Sequence, residues 1–576
     1  MHVAPRLFPD FLLNTSRYML AVVRPCRLPF SLTTRLFHDV RVYKEDKRWP
    51  GWQVIIGIET HAQIKSRLKL FSESLTSHPD DPPNTHVSPF DAAFPGTLPK
   101  LNPKCVDLAI RTAVALQSDI QPRSSFDRKH YFYSDLPSGY QITQQYAPLA
   151  LGGVLNIQLP DSSPVPVRIK QIQLEQDTAK STFNPRNLTS SIDLNRAGTG
   201  LMEIVSEPDM RSPEEAGAYV RTLQAVLRAI GSSDGNMEQG SLRCDVNVSI
   251  NRPGELPGTR CEIKNLNSVR FMMAAITHEI KRQQALLTSS SLATVPQETR
   301  GFDEHTFETF RLRSKEDAPD YRYMPDPNLG ELRVSQSRIE TIRSTLPELP
   351  WHTRTRLKST YGISERDVEV LLSVDSGREV QFDGDEGDGG RGAVAYFDRL
   401  VAGNGQINED GKKKKGRDPK VAVNWMTHEL LGQLAARNES FKDNTLTSGQ
   451  LGELIDLVTG RIITGTSAKL LLRHLLAKPS SERVLKIAED LQLTALSPSS
   501  SSCSSSSSSQ TAEDPLFPLC KEAIAALPSE VAAVRAGNKN VLHKIVGHVM
   551  KGSRGRADAK RVREVVEGLI MGEGKQ

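Results

Sequence analysis

No stretch of the 576-residue chain holds about 18 consecutive apolar residues, so no membrane span is expected. Cysteine is sparse: Cys26, Cys105, Cys244, Cys261, Cys503 and Cys520 lie far apart, and no CxxC occurs. That spacing gives neither a zinc knuckle nor a disulfide framework, and it suits a reducing compartment. No GxxxxGKS/T is present, which excludes a P-loop. No GxGxxG opens a helix, so a dinucleotide fold is unsupported. No cysteine sits in a glutaminase-like context, so any nucleophile that frees ammonia is expected in another chain. Excess charge is lacking too: the net +5 allows a nucleic-acid partner without demanding one.

The length implies several domains. The most informative stretch is VIIGIETHAQIKSRLKLF at 54–71. Val54, Ile56 and Ile58 alternate with Ile55, Gly57, Glu59, His61 and Gln63, a period of two that predicts a strand. Its polar face ends in Glu59, His61 and Gln63. A carboxylate beside an imidazole is costly to bury unpartnered, so either a satisfied hydrogen bond at a sheet edge or a metal site accounts for them. Similar faces recur: Gln173, Glu175 and Asp177 in 171–177, Glu203 in 201–209, Arg243, Asp245, Asn247 and Ser249 in 241–250, and Arg260, Glu262 and Lys264 in 259–264. Solvated sheet faces would explain any one of them. Carboxylates on so many faces, with a lysine, arginines and asparagines between, fit better a sheet that binds Mg²⁺ and phosphate.

Along the chain, residues 1–45 read as a mitochondrial targeting segment: Arg6, Arg17, Arg24, Arg27 and Arg35 stand against a single acid, Asp10, before Asp39. From 49 to 330, polar-faced strands mix with helices expected over 105–116, 213–230 and 271–287. Ser212 caps the second helix, with Glu215 at the capping-box position. The lack of regular βαβ alternation predicts an α+β fold. Beyond 335 helical patterning takes over, with helices expected over 419–434, 448–459 and 467–476. Residues 381–416, rich in Gly and Asp and ending in a lysine run, read as a flexible insertion within a helical domain spanning 335–480. Residues 497–511, almost pure serine, read as a disordered linker. The tail, 512–576, carries two short helices around a basic loop with Lys551, Arg554 and Arg556. There, a contact with RNA phosphates and a solvated turn are equally expected.

At VIIGIETHAQIKSRLKLF, FDRKHYFYSDLPSGYQITQ, DLNRAGTGLMEIVSEPDMRSPEEA, MEQGSLRCDVNVSI, EIKNLNSVRF and DYRYMPDP, and at VAVNWMTHEL and VGHVMKGSRGRAD further on, the sequence resembles GatB, one of the subunits of the aspartyl/glutamyl-tRNA amidotransferases, in its mitochondrial form. The likeness runs from about 52 to 570. It implies an antiparallel-sheet catalytic domain over 49–330, similar to the glutamine synthetase fold, then an all-α helical region and a tRNA-binding tail. It implies a ligase that forms carbon–nitrogen bonds with glutamine as amido-nitrogen donor, in the mitochondrial matrix. ATP phosphorylates the side-chain carboxylate of Glu misacylated onto tRNA(Gln). Ammonia from a glutaminase (amidase) subunit then displaces the phosphate, giving Gln-tRNA(Gln). A small third subunit is implied as well.

By the resemblance, His61, Glu175 and Glu203 hold Mg²⁺, with Glu59 beside them. A His among oxygen ligands would also suit Mn²⁺. Phosphoryl transfer to a carboxylate brings anions together, so Mg²⁺ and Lys or Arg must offset the repulsion. Glu59, Glu203 and Lys264 are therefore the expected catalytic groups, and Arg243, Asp245, Asn247, Glu262 and Lys264 the expected nucleotide or second-metal contacts. Zinc is not expected, because the cysteines that some family members carry after the first strand are missing from 72–94. Where the family often shows Glu-Glu-Asp, this chain has Glu175, Gln176 and Asp177, and Gln176 falls on the face opposite Glu175. Two alternatives remain: an ATP-dependent ligase acting on a free amino acid, and a non-catalytic tRNA-binding subunit. The long helical tail speaks against the first, and the intact set Glu59, His61, Glu175 and Glu203 against the second.

Overall fold

The computed structural model describes residues 45–160, 163–290, 292–314, 320–377, 380–384, 392–403, 416–496, 516–536, 538–553 and 555–572. The targeting segment, up to residue 44, and the serine linker at 497–511 lie outside the described residues. The strands that build the site are, in chain order, β1 (Gln53–Gln63), β2 (Asp127–His130), β3 (Tyr140–Thr143), β4 (Val165–Gln176), β5 (Gly200–Ser206), β6 (Leu242–Asn251), β7 (Cys261–Leu266), β8 (Glu298–Asp303) and β9 (Glu308–Ser314). The main sheet runs β9-β8-β7-β6-β1-β5-β4 and continues through the short strands Ala150–Leu151 and Asp119–Ile120. The fold is α+β, as the patterning implies, but the sheet is not wholly antiparallel. β7 and β8 pair in parallel. Helix α3 (Val269–Ser289) joins them, and a long crossover is what a parallel pair requires.

The period of two in β1 separates its side chains as expected. Val54, Ile56, Ile58 and Ala62 are buried, and they share one core with Ile172 and Leu174 of β4, Met202 and Ile204 of β5, and Val246 and Val248 of β6. Helix α1 (Pro103–Ala115), helix α2 (Pro213–Ala229) and α3 belong to that core through Ile110, Tyr219 and Ile276. Each such side chain contributes about 1.5–3 kcal/mol when buried. A slip of one residue in any strand would turn its apolar set outward, so the register is strongly held. The opposite face is thereby left to the polar residues.

Local signals start the helices. Pro213 stands in the first turn of α2, and the Ser212 hydroxyl accepts from the Glu215 backbone N–H at 3.1 Å. The expected capping box is displaced by one residue: the Glu215 carboxylate takes the backbone N–H of Arg211, at 2.8 Å, ahead of the cap.

Residues 72–94 are pinned by an ion pair rather than by cysteines. Lys69 Nζ lies 3.2 Å from Asp91 Oδ2, with both side chains wholly buried. The ammonium also donates to the His86 carbonyl at 2.7 Å, and Asp91 accepts from the Ser72 hydroxyl at 3.1 Å and the Ser88 backbone N–H at 3.0 Å. Burial pulls the Lys69 ammonium below the ordinary lysine value against the pull of Asp91.

Two further apolar cores follow, one drawn from Leu357 to Ala488 and one from Leu516 to Ile570. The reading of 381–416 as a flexible insertion is corrected by the first of these. Ala393–Ala402 is a helix whose Phe397 and Leu400 are fully buried in it; residues 385–391 and 404–415 lie outside the described residues. A second correction sits beside it. The sequence at 387–392 spells GDGGRG, and Gly392 is the N-cap of that helix, so a GxGxxG does open a helix. The described element before it is the single turn Phe382–Gly384 rather than a strand, so no dinucleotide crevice results. The helix expected over 419–434 is broken into Pro419–Asn424 and Leu431–Ala436 by a wider turn over Trp425–Leu430.

Replacing Asp91 by alanine leaves the Lys69 ammonium buried without its counter-ion, and the expected loss is about 3–5 kcal/mol of stability. A lower urea midpoint at unchanged slope is the measurement that checks it.

Candidate active site on the polar face of the sheet

β1 lies between β5 and β6, and its antiparallel register sets the site. His61 is opposite Glu203 on β5 and Arg243 on β6, and Glu59 is opposite Asp245. On the far side of β5, Glu203 is opposite Gln173 of β4, and Leu201 is opposite Glu175. Residues directly opposite in a sheet share a face. The four polar faces therefore merge into one strip.

Ligand atoms of His61, Glu175 and Glu203 lie within 4.8 Å of one another. They are not spent on each other: His61 Nδ1 stands 3.7 Å from Glu175 Oε1, too long for a hydrogen bond. Each carboxylate is instead steadied from outside the cluster. Gln141 Nε2 donates to Glu175 Oε1 at 2.9 Å, and Gln173 Nε2 donates to Glu203 Oε2 at 2.5 Å. Gln141 in turn accepts from the Tyr131 hydroxyl at 3.0 Å, and Gln173 donates to Thr143 Oγ1 at 3.2 Å. Burial, together with the charges of Glu175 and Glu59, pushes the Glu203 carboxyl up to about 7, against the opposing pull of His61 and Lys129. Carboxylates crowded in this way are a charge arrangement that a divalent cation relieves. Opposite ligands of Mg²⁺ lie about 4.2 Å apart, and one imidazole with two carboxylates is a donor set for Mg²⁺ or Mn²⁺. The three residues fit such an ion, and the supporting glutamines hold the carboxylates as outer partners do at metal sites. Glu59, one step along β1, accepts from Asn247 Nδ2 at 3.1 Å.

The remaining expected residues form a second group on β6 and β7. Lys264 Nζ lies 2.6 Å from Asp245 and 3.0 Å from Glu262. Burial works against its charge, but the two carboxylates outweigh it and hold the ammonium above the ordinary lysine value. β7 is three strand steps from β5. That is about 14 Å at the usual strand spacing, so Lys264 is not brought to Glu203, whereas Glu59 on β1 is two strand steps from β7 and lies opposite Asp245, the partner of Lys264. Arg243 Nη2 bonds Asp177 at 2.6 Å, while its buried Nε meets no hydrogen-bond partner.

Sequence reasoning missed the roof over this face. β2 and β3 pair with each other, and Lys129 is the cross-strand partner of Gln141. Lys129, Tyr131, Gln141 and Gln173 are all part of the site's surroundings. The one signal was the alternation of Lys129 and Tyr131 with Arg128 and His130, over a run too short to weigh. In the tail, Lys551 is exposed near the end of the helix Leu542–Gly552, but Arg556 is tied back through Nε to the Thr494 carbonyl at 2.9 Å. Arg554 lies outside the described residues. Lys551 and Arg556 are thus not equivalent surface cations.

Residues 54–340 match the GatB/GatE catalytic domain family, and residues 410–570 match the GatB domain family. The chain is 70% identical over 560 residues to the GatB subunit of the mitochondrial glutamyl-tRNA(Gln) amidotransferase of Laccaria bicolor, covering 96% of this chain and 99% of that relative. It is 47% identical to the mitochondrial GatB subunit of Mycosarcoma maydis, over 90% of this chain and 86% of the relative. It is 40% identical to the GatB subunit of the aspartyl/glutamyl-tRNA(Asn/Gln) amidotransferase of a Methylobacterium species, over 90% of this chain and 95% of the relative. With a sheet face that gathers His61, Glu175 and Glu203 and a likeness of this extent, the chain belongs to the GatB family of glutamyl-tRNA amidotransferase subunits.

Proposed function

We propose that this chain is the mitochondrial subunit that converts Glu-tRNA(Gln) to Gln-tRNA(Gln), as part of a glutamine-hydrolysing carbon–nitrogen ligase. The observation that carries the reading is the convergence of His61, Glu175 and Glu203 from separate strands within 4.8 Å. In the first step, the side-chain carboxylate of the misacylated Glu takes the γ-phosphoryl group of ATP. A carboxylate is a poor electrophile, and this step turns it into an acyl phosphate. Mg²⁺ held by the three residues would supply charge neutralisation where the γ-phosphate and the carboxylate meet.

The chain's own groups prepare that place. Gln141 and Gln173 fix the two carboxylates in orientation, so little reorganisation is left for the moment of transfer. Arg243, with its spare buried Nε, and the Lys264–Asp245–Glu262 ladder with Asn247 lie along the strip where a nucleotide would extend. In the second step, ammonia attacks the carbonyl carbon and phosphate leaves. A glutaminase (amidase) subunit supplies the ammonia, consistent with the missing nucleophile here, and a small third subunit completes the complex. Residues 49–330 act as the catalytic domain. The helical parts, 335–480 and 512–576, hold the tRNA body by shape and phosphate contacts. The arginine-rich, acid-poor stretch 1–45 directs the chain to the matrix.

Glu203→Gln removes one negative ligand without changing volume. It is expected to slow ATP-dependent phosphorylation of the glutamyl group by about a hundredfold or more, with tRNA affinity nearly intact. Unchanged turnover in the reconstituted complex would take Glu203 out of the site. Lys551→Ala is expected to weaken binding of different tRNAs alike and to lower the salt-dependence slope by about one. Affinity titrations at several salt concentrations check this, and an unaltered slope sets Lys551 aside.

A further inference from the structure

We propose that Lys129 is a further catalytic residue, its ammonium donating to the non-bridging oxygens of the γ-phosphoryl group during transfer to the substrate carboxylate. This rests on the functional reading above and adds a named group to it.

Position is the first ground. Lys129 pairs across β2 and β3 with Gln141, so the two side chains leave the hairpin on the same side. Gln141 reaches Glu175 Oε1 at 2.9 Å, which places that side over the acid cluster. The neighbours of Lys129 are locked. Arg128 Nε lies 2.6 Å from Asp326, with its guanidinium 4.1 Å from the centre of the Tyr140 ring, and buried Asp127 accepts from the Tyr146 backbone N–H at 3.0 Å.

Unused capacity is the second ground. An ammonium has three donors. That of Lys129 lies 5.0 Å from the centre of the Tyr321 ring and makes no hydrogen bond or ion pair with any described residue. Lys65, Lys69 and Lys264 all differ from it, for each holds a carboxylate within 3.2 Å.

The third ground is the surrounding field. Burial works against the Lys129 charge, but Glu175 and Glu203, acting through space, hold the ammonium above the ordinary lysine value. A fixed cation facing carboxylates without touching them leaves an interval that suits an anion and the cation the carboxylates would bind. Preorganised donors of this kind act where charge builds in the transition state.

In the step itself, a carboxylate oxygen of the substrate forms a bond to Pγ as the bond from Pγ to the bridging oxygen breaks. The electron pair of that bond leaves with ADP. No proton moves, and Lys129 remains an ammonium throughout.

The test uses the complete amidotransferase complex with Glu-tRNA(Gln) and γ-labelled ATP, with glutamine and ammonia omitted so that label stays on the acyl phosphate. K129M and K129Q are expected to slow single-turnover label transfer by about a hundredfold or more, while tRNA affinity, melting temperature and the partner's glutaminase rate stay unchanged. K129R, which keeps the charge, is expected to recover part of the loss. Label transfer at the native rate in both neutral variants overturns the proposal. So does a loss that falls in step with tRNA affinity or melting temperature, since that marks a structural role. A native complex that labels nothing removes the functional reading itself and the lysine with it.

Discussion

Two carboxylates and an imidazole held within 4.8 Å, without hydrogen bonds among them, are unfavourable by themselves, and the rest of the catalytic domain works against that cost. Unpaired charges at a half-buried site lose hydration and repel. They stay together because none of their strands can move. β1, β4, β5 and β6 each bury an apolar set against α1, α2 and α3, and a one-residue slip in any strand would expose that set. Hydrophobic packing on one face therefore maintains electrostatic tension on the other. Gln141 and Gln173 then aim the carboxylates without neutralising them.

The polar strip divides by charge balance. On β6 and β7 each cation is held in ion pairs: Lys264 sits between Asp245 and Glu262, and Arg243 holds Asp177. On β4, β5 and β1 the balance tips towards negative charge, and the answering cation, Lys129, stands off on a separate hairpin. A ladder of paired charges suits holding a ligand in place. An unmatched cluster suits chemistry in which a cation and a phosphoryl group arrive together. The buried Lys69–Asp91 pair serves a different end, fastening the loop after β1.

Much of the candidate site's face was legible because strands have a period of two. The alternation at Glu59 and His61, at Glu175, at Glu203 and at Asp245 is as visible in the sequence as in the fold. The helical units were legible in the same way, down to Ser448–Thr459. What escaped was of two kinds. Short elements such as β2 and β3 are four residues long, too brief for periodicity to separate from chance, so Lys129 and Gln141 went unweighed. Composition misled at 381–416, where glycine and acid flank a helix whose Phe397 and Leu400 belong to a core.

The sequence by itself determined which side chains share a face, because neighbouring residues on an extended chain must point to opposite sides. Only the tertiary structure decided which faces meet. That His61 lies opposite Glu203, and that Lys264 falls three strand steps from Glu203, depends on strand order. Strand order is set by apolar packing between segments far apart in the chain, and no local pattern encodes it.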